Sequence, residues 1–195
     1  MVISMTALAV SPSVHAANRY WDGGTANIAT TGDGASGGTA GNWDTTLTNW
    51  DQGSGLAHVA WSNAAQDTAI FAGTAGTVTL TAPVTAAVLT FTAAGYTVAG
   101  TSPNILTLGG TSATITTSTL ATTGTTTISA PIAGTLTSGL TIASNGDMSA
   151  SGGGAGGLGV KLSGANTFTG NITVTSGLLS YSADSAFGNA ANAIT

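Results

Sequence analysis

A tryptophan followed by an aspartate recurs three times near the start of this 195-residue sequence, at Trp21-Asp22, Trp43-Asp44 and Trp50-Asp51. Trp61 is the fourth and last tryptophan, so all four fall in one short region. Indole rings can stack on sugar faces, and carboxylates accept hydrogen bonds from sugar hydroxyls. The pattern therefore indicates a candidate carbohydrate-binding group, which comprises Trp43, Asp44, Trp50, Asp51 and Trp61.

The alternative, which we favour, is that these tryptophans close one end of a stack of short strands. Such a stack ends in unpaired edge groups and an open core, and large rings can cover both. A Trp-Asp propeller does not fit, because its repeat is about 40 residues long, whereas these dipeptides are separated by 22 and then 7 residues.

Other side chains capable of acid–base or metal chemistry are sparse. Beyond residue 73 the charged residues are Asp147, Lys161 and Asp184, which are far apart in the sequence. Hydrolysis of a sugar polymer needs two carboxyl groups flanking one bond. His58 has no second histidine near it and is predicted to lie in the cap or on the surface, and the single Gly32-Asp33-Gly34 cannot supply the six to eight oxygens that calcium takes. We predict no catalytic residue, no metal site and no cofactor.

The composition excludes several classes of protein. Charged residues make up 5% of the chain, with seven acids, all of them Asp, and two bases, Arg19 and Lys161. A net charge of −5 argues against a nucleic-acid partner, which needs a basic surface. Cysteine is absent, so no disulfide can form, and the 42% hydrophobic content argues against a disordered linker.

From residue 74 onward the sequence alternates between short β-type segments and turn residues. The predicted strands are Thr77–Leu80, Val88–Phe91, Tyr96–Val98, Ile105–Leu108, Thr114–Thr116, Thr126–Ile128, Leu140–Ile142 and Leu158–Leu162. Their spacing also suits a sandwich or barrel, and Asn145-Gly146 would suit a hairpin turn. The shortness of the strands and the near absence of charge favour a solenoid instead. No helix is predicted.

The last 38 residues strengthen this interpretation. They contain Ser163-Gly164-Ala165-Asn166-Thr167-Phe168-Thr169-Gly170-Asn171, followed by the alternating Ile172–Thr175 and by Ala186-Phe187-Gly188. This stretch, from residue 158 to 195, resembles the autotransporter-associated β-strand repeat. The resemblance implies a right-handed parallel β-helix in a secreted or surface-anchored bacterial protein, and it implies no catalytic activity.

Three regions are predicted. Residues 1–16 have an apolar run and a small-residue cleavage motif before Ala17, which indicates a signal peptide, although no Lys or Arg precedes the run. Residues 17–73 form an aromatic-rich N-terminal cap. Residues 74–195 form β-helix repeats that continue beyond the C-terminus. The sequence contains no stretch long and apolar enough to span a membrane as a helix.

We therefore predict an all-β protein, a right-handed parallel β-helix that acts as a secreted or cell-surface structural and adhesive scaffold within a larger autotransporter-like protein. A carbohydrate-binding module built on the tryptophans is the alternative, and a polysaccharide-degrading enzyme is the third possibility. Surface glycans or other cell-surface proteins are the expected partners. End-to-end self-association is also expected, through an uncapped C-terminal coil.

Overall fold

The computed structural model describes residues 16–24, 31–110, 113–117, 124–144 and 159–195. These residues form short β-strands and one turn of 3₁₀ helix, Asp184–Phe187. The strands, in chain order, are β1 Asn18–Trp21, β2 Gly41–Trp43, β3 Trp50–Asp51, β4 Thr68–Phe71, β5 Thr77–Leu80, β6 Val84–Ala86, β7 Val88–Phe91, β8 Thr97–Ala99, β9 Leu106–Leu108, β10 Ala113–Thr117, β11 Thr126–Ile128, β12 Ile132–Ala133, β13 Leu140–Ser144, β14 Gly159–Leu162, β15 Ile172–Ser176 and β16 Leu178–Tyr181.

The strands are distributed over three sheets. The first has the order β15-β13-β10-β7-β4-β1-β3, the second β16-β14-β11-β8-β5-β2, and the third β12-β9-β6. From β4 to β14 the chain visits the three sheets in rotation, and we call one such passage a rung. Strands of successive rungs pair in parallel, for example β4 with β7 and β7 with β10. Among the named strands, only β1 and β3 pair antiparallel.

Each sheet has one buried face, along which the apolar side chains of successive strands lie in register. In the first sheet Ala69, Leu89, Ile115, Ile142 and Val174 are successive partners. The first four of them are fully buried. Alternation along each strand produces this column, since every second side chain points to the same face. The stack is thus held by apolar contacts between rungs.

The opposite face of the same sheet is lined by threonine. Thr68, Thr114, Thr141 and Thr173 follow one another along the pairing, with Val88 between the first two. Hydroxyls and methyl groups suit a solvated, pleated surface without adding charge.

The corners between strands allow close approach of the next rung. A Cβ atom added to Gly164 would lie 2.6 Å from the carbonyl oxygen of Ala130. Gly177 has a φ of +73° and leaves equally little room beside Ser144. Glycine at these two corners is therefore needed for close stacking of the rungs and for the turn.

The strands expected beyond residue 74 are confirmed within a residue or two, as is the all-β class with parallel sheets. Between residues 74 and 162 two strands were missed, β6 and β12, which form two of the three strands of the third sheet. Each follows a proline, Pro83 or Pro131, and proline in a sequence is typical of a turn. The glycine-rich tract 23–41 contributes only the first residue of β2 among its described residues.

Several predictions fall outside the described residues. They are the signal peptide apart from Ala16, the hairpin turn at Asn145-Gly146, and the position of Asp147. No helix among the described residues is long and apolar enough to cross a membrane. One continuous cluster of buried side chains runs from Trp21 to Ala186, so the core of the Trp-rich region is contiguous with that of the later rungs.

Candidate functional site at the aromatic end

The Trp-rich end of the stack gathers every tryptophan of the chain. Trp21, Trp43 and Trp50 lie on β1, β2 and β3, and Trp61 follows in the next loop; we call these four with Phe71 the aromatic cluster. Ring centroids within it lie 4.7 to 6.1 Å apart, mostly in edge-on or tilted pairs, the preferred geometry for aromatic contacts.

Strand pairing explains how the cluster forms. Trp21 is the register partner of Trp50 across the antiparallel pair β1–β3. Phe71 stacks on Phe91 of the next rung, with centroids 4.7 Å apart and ring planes 12° apart. The cluster is therefore continuous with the column of inner side chains.

The four tryptophan rings are buried: Trp21, Trp43 and Trp50 are fully covered and Trp61 is 2% exposed. No ring face is thus open to a sugar in this arrangement. Two indole nitrogens donate hydrogen bonds to backbone carbonyls, Trp21 to Thr39 and Trp61 to Thr85, each at 2.9 Å. The carbohydrate-binding interpretation stays a prediction, and it would require these rings to rearrange.

Side chains also complete the free edge of the third sheet. The Nδ2 group of Asn63 donates to the carbonyl oxygen of Pro83 at 3.0 Å, and its Oδ1 accepts from the N–H of Thr85 at 2.8 Å. With the Trp61 bond to the Thr85 carbonyl, two side chains satisfy edge groups of β6 that a further strand would otherwise pair.

The two aspartates of the predicted sugar-binding group organise loops. Asp44 Oδ1 accepts from the N–H groups of Thr46 and Leu47, at 2.7 and 2.8 Å. Asp44 Oδ2 accepts from the hydroxyl of Thr81. Burial alone would raise the pKa of Asp44, but these hydrogen bonds outweigh it and the pKa is lowered from its usual value.

Asp51 is fully buried and accepts from two loops. Its Oδ1 accepts from the N–H of Gly53 at 2.6 Å, and its Oδ2 from the N–H of Gly34 at 2.8 Å. Burial acts to raise the pKa of Asp51, yet these backbone donors, with Asp33 and the nearby His58, lower it overall.

Three ionisable side chains converge beside the aromatic cluster: Asp22, Asp51 and His58. Their oxygen and nitrogen atoms lie within 4.8 Å of one another. His58 Nε2 is 2.8 Å from Asp22 Oδ2, and the two side chains are 3% and 0% exposed. Asp22 Oδ1 accepts from the N–H of Gly37 at 2.6 Å. Each carboxylate is thus held by backbone donors.

One imidazole and two carboxylates could supply three ligands to a divalent transition metal. The hydrogen bonds already described account for the same arrangement without an ion, because they compensate the buried carboxylates. The trio is therefore explained as a clamp on the loops around residues 34, 37 and 53.

A second polar contact lies next to Asp22. Ser36 Oγ donates to the carbonyl oxygen of Trp21 at 2.6 Å and accepts from the N–H of Ala72 at 3.0 Å. Tyr96 Oη donates to the carbonyl oxygen of Ala72. Burial, with a smaller contribution from the Asp22 charge, raises the pKa of Tyr96 to about 12. This tyrosine is therefore a hydrogen-bond donor rather than a general base.

Asp67, just before β4, binds the start of β1, and its partner Arg19 connects it to the loop after β3. Its Oδ1 accepts from the N–H of Ala17 at 2.8 Å, and its Oδ2 from Arg19 Nε at 2.9 Å. Arg19 also donates to Gln52 Oε1 at 3.3 Å. The Asp67 side chain is 2% exposed and the Arg19 side chain is 22% exposed, so a buried carboxylate is paired with a partly buried guanidinium group.

Two shallow depressions of about 390 and 550 Å³ lie at the corners of the stack. The first is lined by one ionisable side chain, Asp184, and the second by none. Lys161 points outward from β14, between register partners Thr127 and Ser180. Among the described residues neither depression pairs two carboxyl groups.

The Asp22–Asp51–His58 trio was not foreseen from the sequence. Asp51 was taken for a sugar-binding residue and His58 for a cap or surface residue. The repeated Trp-Asp dipeptide was the available signal, because the antiparallel pairing of Trp21 with Trp50 brings the following carboxylates to one side of the cluster. The approach of His58 to these carboxylates depends on the course of the loop after β3, which the spacing of residues in the sequence does not specify.

Comparison with known proteins gives one informative match. No family model matches the chain, and no solved structure matches it. The chain is 43% identical, over 196 aligned residues, to the adhesin BmaC autotransporter of Brucella suis biovar 1 (strain 1330). This chain is similar to one segment of an autotransporter adhesin.

The similarity to the adhesin includes 99% of this chain but 5% of the adhesin's length. It therefore extends over both the aromatic end and residues 158–195. The expectation of an autotransporter-associated protein is supported at this coarser level, whereas the specific repeat assignment stays a prediction.

Proposed function

We propose that this chain is a right-handed parallel β-helical segment of a cell-surface adhesin exported by the autotransporter route. The observation that carries the proposal is the rotation of the chain through three sheets, with parallel register from rung to rung. Each rung adds one apolar side chain to every inner column, so the stack can extend to any length. Such a shaft suits a protein that must hold binding surfaces away from a membrane.

The similarity to an autotransporter adhesin supports the cell-surface and adhesive parts of the proposal. Outward-facing threonines with almost no charge offer hydroxyls along the shaft, so cell-surface glycans or proteins are the proposed partners. A non-enzymatic role is proposed because the relative that this chain matches is an adhesin.

Within this segment we propose three regions: a secretory leader over residues 1–16, a cap over 17–73 and the β-helix over 74–195. The cap assignment is supported by the buried tryptophans and by Trp61 and Asn63, which satisfy the edge groups of β6. It is also supported by β3, which covers the edge of β1 in antiparallel orientation.

Adhesion can be tested with beads coated with residues 17–195 and applied to cultured epithelial cells. We expect binding above that of albumin-coated beads, and competition by the soluble chain. Beads coated with the chain after heat unfolding are the matched control. Binding that is no higher than for albumin would contradict the adhesive role of this segment.

A glycan array separates adhesion through the shaft from the carbohydrate-binding alternative. Under the cap assignment, Trp43→Ala and Trp50→Ala each lower the melting temperature strongly. Truncation of a buried tryptophan leaves a large cavity in the core and costs about 3–5 kcal/mol. Loss of glycan binding with unchanged melting would instead support a sugar site.

A further inference from the structure

The buried carboxylate of Asp67 lies directly beside the predicted point of leader cleavage. Cleavage before Ala17 would free the nitrogen atom that now donates to Asp67 Oδ1 at 2.8 Å. Ala16, on the leader side of that bond, is exposed, whereas the Asp67 side chain is 2% exposed. The Ala16–Ala17 peptide bond thus lies next to a buried carboxylate that already accepts a hydrogen bond from the Ala17 nitrogen.

Strand pairing fixes the position of the Ala17 nitrogen. The carbonyl oxygen of Ala17 accepts from the N–H of Thr68 at 2.9 Å, and Asn18 and Arg19 pair with Thr68 and Ala69 in the β1–β4 ladder. Because Asp67 immediately precedes β4, its carboxylate and the Ala17 nitrogen are held on neighbouring strands. Removal of residues 1–16 leaves this ladder intact.

We propose that Asp67 is the receptor for the α-ammonium group created at Ala17 by removal of the leader. The proposal rests on the secretory leader of the proposed function. Hydrolysis by a leader peptidase adds water across the Ala16–Ala17 peptide bond. Ala16 leaves with the new carboxylate, and Ala17 keeps the nitrogen as an ammonium group, which donates to Asp67 Oδ1.

Charge makes the processed chain different from the uncut one. In the uncut chain Asp67 has one cationic partner, Arg19, and one neutral amide donor. After cleavage the neutral donor becomes a cation, so a Coulombic attraction between two opposite charges is added to a hydrogen bond whose acceptor was already ionised. The charged groups in contact are then Asp67 and Arg19; Asp51, on β3 opposite Tyr20, is held by its own backbone donors.

This arrangement predicts a specific pH dependence. An α-amino group has an ordinary pKa of about 7.7–8.0, and a neighbouring carboxylate raises it. The added stability is therefore fully present below about pH 7.7 and is lost as the pH rises through the higher value of the folded chain. A purely structural role of Asp67 in binding the Ala17 amide gives no such dependence.

The first experiment determines whether the terminus forms. The full chain is expressed with residues 1–16 in a Gram-negative host, and the exported protein is analysed by intact mass. A first residue of Ala17 is expected. Any other N-terminus overturns the capture proposal. A chain that stays inside the cell with residues 1–16 still attached also counts against the secretory leader itself.

The second experiment tests capture without mutation of the site. Residues 17–195 are released from a cleavable fusion with Ala17 first, and compared with the same chain acetylated at Ala17 or extended by one glycine. At about pH 6 the free-amine chain is expected to melt about 2–4 °C higher, a shift typical of about 1 kcal/mol in a chain of this size. The difference is expected to vanish at about pH 10.

The α-amine is also titrated directly by its rate of acylation. At neutral pH the rate is expected to be about tenfold lower than in the unfolded chain, which corresponds to a rise of about one in pKa. Asp67→Asn removes both effects, whereas Asp184→Asn, at an exposed position, removes neither. Equal melting of the three chains at every pH, or an ordinary amine pKa, overturns the proposal and leaves the adhesive scaffold untouched.

Discussion

At the scale of single residues, the carboxylates of the aromatic end hold loops in place. Asp44 accepts from N–H groups two and three residues further along its own loop, whereas Asp51 and Asp67 each accept from a backbone N–H of another segment. In a chain with so few charges, these acceptors compensate loop donors that the short strands leave unpaired. The histidine beside Asp22 adds a charged or neutral donor to the same network.

Asp51→Asn tests this role through pH. The pKa of Asp51 is lower in the folded chain than its usual 3.8. Its carboxylate therefore contributes stability that is present above about pH 4 and lost as the pH falls through the folded-state value. We expect the variant to be less stable by about 1–3 kcal/mol near neutrality, since donors lose a charged acceptor, and to approach the parent at low pH.

Chemical denaturation at neutral and acidic pH measures both quantities. Asp184→Asn, in an exposed turn, serves as the matched control and should behave as the parent does. A difference between Asp51→Asn and the parent that stays constant with pH would contradict the assignment.

At the scale of elements, the corners between strands also connect successive rungs. Asn166, which is 6% exposed, connects three successive rungs. Its Oδ1 accepts from the N–H of Ile132 at 2.8 Å, and its Nδ2 donates to the carbonyl oxygen of Ala186 at 2.6 Å. The asparagine of the Ser163–Thr167 corner is thus a side-chain bridge between rungs.

Asn166→Leu keeps the volume but leaves both backbone groups unpaired. We expect a loss of about 2–4 kcal/mol in the free energy of unfolding, because each buried group without a partner costs about 1–3 kcal/mol. Urea denaturation measures it. Thr167→Ala, at the exposed neighbouring position, should change stability by less than about 0.5 kcal/mol; equal losses for the two variants would refute the bridging role.

At the scale of the whole molecule, the two ends of the stack differ. At the aromatic end, β3 pairs with the edge of β1, and Trp61 and Asn63 bind edge groups at β6. At the other end, within the described part of the chain, β16 is paired on one side only, and its Leu178 and Tyr181 are 37% and 54% exposed. An unpaired edge with apolar side chains is a template for pairing with another chain.

We therefore expect this chain to self-associate through β16 as its concentration rises from micromolar to millimolar. Lysine is a residue that natural edge strands use to prevent such pairing. The double variant Leu178→Lys, Tyr181→Lys should remain monomeric in sedimentation velocity. Leu47→Lys with Leu56→Lys, at exposed apolar positions near the aromatic end, is the control and should associate like the parent. A monomeric parent at every concentration would exclude this contact.

The sequence predicted the strands well because their pattern is local. Alternation such as Thr77-Val78-Thr79-Leu80 specifies both the extended conformation and the buried face, and the low charge favoured stacking over a solvated surface. The strands Val84–Ala86 and Ile132–Ala133 were not predicted, because both are very short and both follow a proline, which is typical of a turn.

The sequence alone thus determined an all-β chain with inward aliphatic and outward threonine side chains. The tertiary structure decided the fate of the aromatic end. An indole ring suits a sugar face and a protein core equally well, so only the register of β1, β2 and β3 buries Trp21, Trp43 and Trp50. The convergence of Asp22, Asp51 and His58 has the same cause: partners 36 residues apart meet through strand pairing and loop course, which no local pattern encodes.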